Sequence, residues 1–308
     1  MRRAFVETLV ELAESDERIV LMSGDLGYTV IEPFAQSFPA RFFNAGVAEQ
    51  NLVGMASGLA EAGYLPFVYS IAPFATLRPY EFIRNGPILQ QLPVRIVGVG
   101  GGLEYGHNGP SHYALEDVGV LRIHPGMTVL APADYQQAQS ALRATYDCDG
   151  PVYYRLGKDD SAVVLGLEGR FEQGKAHVVL EGSDMLFVAM GAIATEAVEA
   201  ATRLTAEGVS AGVMVVSSVN PPPREDLEAA LARVSDVVTV ESHYVDGGVG
   251  SLVAEVVAEA GLDCRLRRCG VRTSRHGTTG SEGHLNERHG ISAGMLVATV
   301  MEELLPAS

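Results

Sequence analysis

Apolar positions fall in short blocks along the chain, and the blocks alternate between two spacings. Residues 2–14 place Phe5, Leu9, Val10, Leu12 and Ala13 on or near one face, which is the spacing of an amphipathic helix. Residues 19–22 form an unbroken apolar run ending in Ser23, Gly24 and Asp25, the pattern of a strand buried on both faces. The alternation predicts a helix near 30–37, a strand near 41–44, a helix at 49–62, a strand at 66–70, a helix at 76–85 and a strand at 93–99. A glycine-rich loop covers 100–112. After it come a short helix at 115–121, a strand at 127–131, a helix at 134–146 and a strand at 151–156. Apolar strands alternating with helices predict a parallel sheet with helices on both faces.

The rhythm lapses over 157–183, where polar and glycine-rich stretches read as a surface connection. A second alternation follows: strand 185–189, helix 192–206, strand 211–216, helix 224–232, strand 236–240, helix 249–260 and strand 265–270, then helices near 281–288 and 291–303. Asn220 and the three prolines after it force a turn before 224. The expected fold is α/β with two doubly wound domains. The first spans 1–160, a linker spans 161–183, and a smaller, mostly parallel domain spans 184–308.

At 308 residues and 47% hydrophobic content, the chain has material for two cores. The net charge of −16 argues against a nucleic-acid or anionic-membrane partner. Three cysteines without CxxC spacing form no disulfide framework, as in a reducing cytoplasm. The opening residues carry charges where a signal peptide needs an apolar stretch, and there is no run of about 18 apolar residues. A cytoplasmic enzyme is expected. Residues 169–176 approach a P-loop but lack its final Ser or Thr, and His276, His284 and His289 have no zinc spacing.

Glu49 is the residue with the most chemistry in its setting. It opens a helix rich in Gly and Ala, where a lone carboxylate is expected to be partly desolvated and available as a proton partner. The alternative is an acid satisfying free N–H groups at a helix start. The run from Ala48 to Asn51 resembles the glutamate motif of thiamine-diphosphate enzymes, in its transketolase form. Further matching pieces are Phe74 to Arg78, Gly109 to His112, Pro125 to Val129 leading to Pro132–Asp134, Glu241 to His243, and Gly247 to Ser251. The resemblance, to the C-terminal half of transketolase, spans nearly the whole chain. It implies a pyrimidine-binding domain followed by a transketolase C-terminal domain.

The resemblance also implies roles. Glu49 hydrogen-bonds the aminopyrimidine ring of thiamine diphosphate. Phe74 stacks on that ring, and a flat apolar face suits a flat heterocycle. Ile71 and Leu77 stand where the family often has further aromatics, so the pocket is reshaped. Asp25 and Leu26 match an aspartate-leucine pair near the thiazolium, although an Asp beside Gly also simply turns the chain. His112 contacts substrate oxygens, with His107 and His124 as neighbouring alternatives. Arg155 grips a sugar phosphate, with Arg2 and Thr29 at further phosphate-contact positions; for all three the alternative is a surface ion pair or cap. Asn108 replaces the family's aspartate in the substrate loop, keeping its shape but not its charge, which points to a specialised substrate.

The Gly-Asp-Gly motif that holds the diphosphate through Mg²⁺ is absent from the sequence. The resemblance therefore implies one subunit of a split enzyme. A separate N-terminal chain supplies the diphosphate and Mg²⁺ half, in an α₂β₂ assembly. The expected reaction moves a two-carbon ketol unit from a ketose to an aldehyde. The alternatives are the β subunit of a 2-oxoacid dehydrogenase, or another acyl- or acyloin-transferring enzyme of this cofactor, and a non-catalytic regulatory subunit. A deoxyxylulose-phosphate synthase fits less well, because that enzyme carries both halves in one chain.

Overall fold

The computed structural model describes residues 1–274 and 277–304, so His276 lies outside the described residues. The strands are β1 (Ile19–Ser23), β2 (Phe42–Asn44), β3 (Leu65–Ile71), β4 (Arg95–Val99), β5 (Thr128–Leu130), β6 (Val152–Leu156), β7 (Ala176–Leu180), β8 (Met185–Met190), β9 (Ala211–Val216), β10 (Ser218–Asn220), β11 (Asp236–Tyr244) and β12 (Arg265–Val271). They form two sheets, ordered β10-β5-β6-β4-β3-β1-β2 and β12-β11-β8-β9-β7. Both are parallel apart from β10 against β5 and β7 against β9. This is the expected pair of α/β domains. The continuous apolar runs become β1, β4, β6, β8 and β9, buried along their whole length, because helices cover both sheet faces.

Two features of the structure do not follow the expected pattern. The stretch read as linker contains β7, which pairs antiparallel along β9 and closes that edge of the second sheet. The short β10, from the far side of the linker, pairs with β5 and so completes the first domain's sheet. The two domains also share apolar packing. One cluster of buried side chains includes Val20 on β1, Val68 on β3, Val129 on β5, and Val219 and Val253 in the second half of the chain.

The helix expected at 76–85 is broken into Ala72–Thr76, Tyr80–Ile83 and a wide turn at Arg84–Ile88. Pro79 interrupts the expected span, lacking the N–H that an uninterrupted helix needs, while Pro73 starts the first piece in its first turn, where none is needed, and Pro87 falls in the wide turn. The first piece therefore begins directly after β3. That sets Phe74 within one turn of the strand's C-terminal end.

Candidate functional site

Parallel strands deliver their following loops to one edge of a sheet, and ligands of open α/β sheets bind there. Asp25 follows β1, Glu49 follows β2, Phe74 follows β3, and the loop 100–112 follows β4. Four separate stretches of sequence thus meet at the C-terminal edge of the first sheet.

Glu49 is the first residue of the helix Glu49–Glu61 and is 3% exposed. Ser70 Oγ donates to its Oε1 at 3.1 Å, and Arg78 Nη1 donates to its Oε2 at 2.9 Å. The expected burial is present, but the carboxylate is not alone. A Cβ on Gly24 would stand 3.4 Å from Oε1, so the glycine leaves room beside the acid. Phe74 is half-buried, with the Arg78 guanidinium carbon 3.7 Å from its ring centroid. The His112 ring meets Phe74 edge-on, centroids 5.0 Å apart. The structure therefore brings Glu49, Phe74 and His112 into one constellation and adds Arg78. Arg78 lies within the Phe74–Arg78 stretch of the sequence, which by itself marks no role for it. Its position one helical turn after Phe74 was the available signal.

His112 ends a 3₁₀ turn, Pro110–His112, and its Nδ1 lies 3.0 Å from Ser111 Oγ. His107 and Asn108 sit exposed on the preceding turn, Gly106–Asn108. Gly109 separates the two turns at φ 83°, a conformation that favours glycine. His124 stands apart from this group: it is bonded to Tyr80 Oη at 2.8 Å, and burial holds its imidazole below the usual range.

Asp25 is exposed at φ 59° and accepts from Asn44 Nδ2 at 2.9 Å. Leu26 is half-buried beside it, its carbonyl accepting from Ser23 Oγ. The two line a surface cavity of about 230 Å³ with Tyr28, Ile31, Phe42 and Asn44. Ile71, half-buried, ends β3, and Leu77 is exposed one residue before Arg78. Thr29 is exposed, its backbone N–H donating to Glu32 at 2.7 Å. Arg2 donates to the Lys158 carbonyl at 3.2 Å and lies 3.6 Å from Asp160.

Arg155 departs from the expectation of a free phosphate clamp. It is 5% exposed, its Nε donates to Asp117 Oδ2 at 2.8 Å, and its Nη2 donates to the carbonyls of Ala114 and Ser242, both at 2.9 Å. Tyr153 Oη donates to the same Asp117 oxygen at 2.6 Å. Arg155 is thus a strap between the domains, committed to a buried carboxylate and to the second domain's backbone. The adjoining motif shares this junction. His243 Nε2 accepts from Gly119 N–H at 3.3 Å, and Glu241 accepts from the N–H groups of Val249 and Gly250 at 2.9 and 3.0 Å. The pieces from Glu241 to His243 and from Gly247 to Ser251 hold the domains together and form no part of the Glu49 constellation.

Comparisons with known proteins bear on the family and the fold. The family model of the transketolase pyrimidine-binding domain matches residues 1–162, and that of the transketolase C-terminal domain matches residues 174–295. The chain is 37% identical to a protein of Methanocaldococcus jannaschii named as a putative transketolase C-terminal section, covering 99% of this chain and 96% of that one. It is 35% identical to the 6-deoxy-6-sulfo-D-fructose transketolase subunit of a Clostridium species, covering 98% and 94%. Among solved structures it is similar to a split-gene transketolase described as an inactive β4 tetramer, with a TM-score of 0.88, 38% identity and coverage of 99% and 98%.

Proposed function

The chain belongs to the transketolase family, and from that premise we propose that it is the C-terminal subunit of a split transketolase-like enzyme dependent on thiamine diphosphate. It moves a two-carbon ketol unit from a ketose or ketose phosphate to an aldehyde. The observation that carries this reading is the buried Glu49 carboxylate beside the half-buried ring of Phe74, at the C-terminal edge of the first sheet. When bound, the cofactor supplies the carbanion chemistry.

The residues present fit that group. Glu49, held at Oε1 by Ser70, shares a hydrogen bond with the aminopyrimidine. Phe74 offers its flat face to the ring, with Ile71 and Leu77 as aliphatic walls. Asp25 and Leu26 serve the thiazolium end. Ser111 engages His112 Nδ1 and leaves Nε2 to exchange a proton with a substrate oxygen. Asn108 and His107, exposed on the preceding turn, select the substrate. Arg2 and Thr29 remain the candidates for phosphate contact, since Arg155 is committed elsewhere. A separate chain holds the diphosphate and Mg²⁺ in an α₂β₂ assembly. Relatives of matching length named as a section or subunit support this.

The test is Glu49→Gln in the chain reconstituted with its partner, assayed for ketol transfer. The carboxamide keeps the shape but cannot hold the negative charge, so turnover falls by about 100-fold or more while the melting curve keeps its form. Full activity in this variant would sink the reading. Oxidation of a 2-oxoacid with an artificial electron acceptor, without ketol transfer, would favour the dehydrogenase alternative.

A further inference from the structure

Arg78 makes two contacts at once. Its guanidinium carbon lies over Phe74, 3.7 Å from the ring centroid, and its Nη1 donates to Glu49 Oε2 at 2.9 Å. An aromatic face and a carboxylate acceptor are the two groups that the proposed function gives to the aminopyrimidine. A guanidinium is itself planar, delocalised and edged with N–H donors, so it meets both demands of a flat heterocycle. Ser70 holds the other oxygen of Glu49, which makes Oε2 the oxygen whose partner can change.

Resting on that reading, we propose that Arg78 is a placeholder: in the cofactor-free chain its guanidinium occupies the aminopyrimidine subsite, and it leaves when the cofactor enters. The burial of the two partners is unequal in the sense this requires. The Glu49 side chain is 2% exposed, whereas that of Arg78 is 43% exposed. The carboxylate is fixed, and the arginine can swing into water. Arg78 also lies in the break between the helices Ala72–Thr76 and Tyr80–Ile83, just before Pro79, with no helix continuing through it to hold its backbone.

The reason for such a device lies in the acid. A buried carboxylate without a counter-charge is strongly destabilising, and this chain must fold before it meets its cofactor. Arg78 supplies the cation in the meantime. It also covers the aromatic face, which closes the site to other flat molecules until a ligand with better contacts displaces it. The competent, open state is thus a minor fraction of the free chain, and apparent affinity is reduced by that fraction.

The experiment titrates thiamine diphosphate, with Mg²⁺ in excess, by calorimetry into the reconstituted pair carrying wild-type chain, Arg78→Ala or Arg78→Gln. The melting temperature of each chain without cofactor is measured alongside. With the placeholder gone, both variants bind about tenfold more tightly. The Arg78→Ala chain alone melts at a lower temperature, because Glu49 has lost its cation. Unchanged affinity in the variants overturns the inference, and weaker affinity overturns it by making Arg78 a cofactor contact. Should the alanine variant fail to fold, the glutamine variant, which retains an N–H donor, decides the question. If the wild-type pair takes up no cofactor, the proposed function itself fails and takes this inference with it. Binding by wild type without tightening in the variants removes this inference alone.

Discussion

Arg155 shows how one buried partner redirects a side chain. Its place at the end of β6 is where an α/β sheet offers groups to a ligand, yet Asp117, completely buried, takes up its Nε. Removing one member of a buried pair leaves the other uncompensated, at a cost of about 3–5 kcal/mol. Arg155→Gln is therefore expected to lower the unfolding free energy of the chain, measured by urea melts, by about 3–5 kcal/mol. A variant of normal stability with a raised KM for phosphorylated donors would return Arg155 to the substrate site. Gly102 acts at the same junction through a missing atom. It sits at φ 68°, where a Cβ would lie 2.1 Å from Ser242 Oγ, so the domains approach this closely only over a glycine.

Among the elements, β11 brings two titratable groups to the junction, Glu241 and His243. His243 donates from Nδ1 to the Tyr244 carbonyl at 2.7 Å and accepts at Nε2, which is the pattern of a neutral imidazole. Burial holds its pKa down to about 4, from an ordinary 6.5. The unfolded chain binds that proton first, so the stabilisation is complete above pH 6.5 and is lost as pH falls toward 4. Over the full shift this amounts to about 3 kcal/mol. Glu241 works in the opposite sense. Burial pushes it up to about 7, so its stabilisation is present below its ordinary 4.5 and is lost as pH rises through 7. The two trends overlap, and His243→Gln separates them. The stability gap between wild type and this variant, from urea melts, should narrow as pH is lowered from 7 to 4.5. A gap independent of pH would mean that His243 does not stay neutral in the fold. The elements themselves were mostly legible in the sequence, because strands buried on both faces are mainly apolar, with Arg95 and Arg155 as exceptions held by buried acceptors. The meeting of Glu49, Phe74 and His112 was legible too, since each follows a strand of one parallel sheet. The ion pairs were not. Arg78 finds Glu49 across 29 positions and Arg155 finds Asp117 across 38, and local pattern does not encode which partner lies opposite in space. Nor was the edge strand β7, whose residues are only half-buried and so lack a strong apolar signature.

For the whole molecule, the two sheets do not divide where the sequence rhythm does. The shared apolar cluster and the Arg155 strap join the domains, and β10 crosses back to the first sheet. That crossing restricts where an enzyme of this kind can be cut into separate genes. A break within residues 157–183 would strip the first sheet of its final strand and bare the backbone of β5, an open edge ready to pair with another molecule. A fragment ending at residue 175 should accordingly aggregate where the intact chain stays monodisperse in light scattering, unless the segment carrying β10 is added back in trans. The seam that leaves both sheets whole lies outside these two domains, which this crossing ties into a single folding unit.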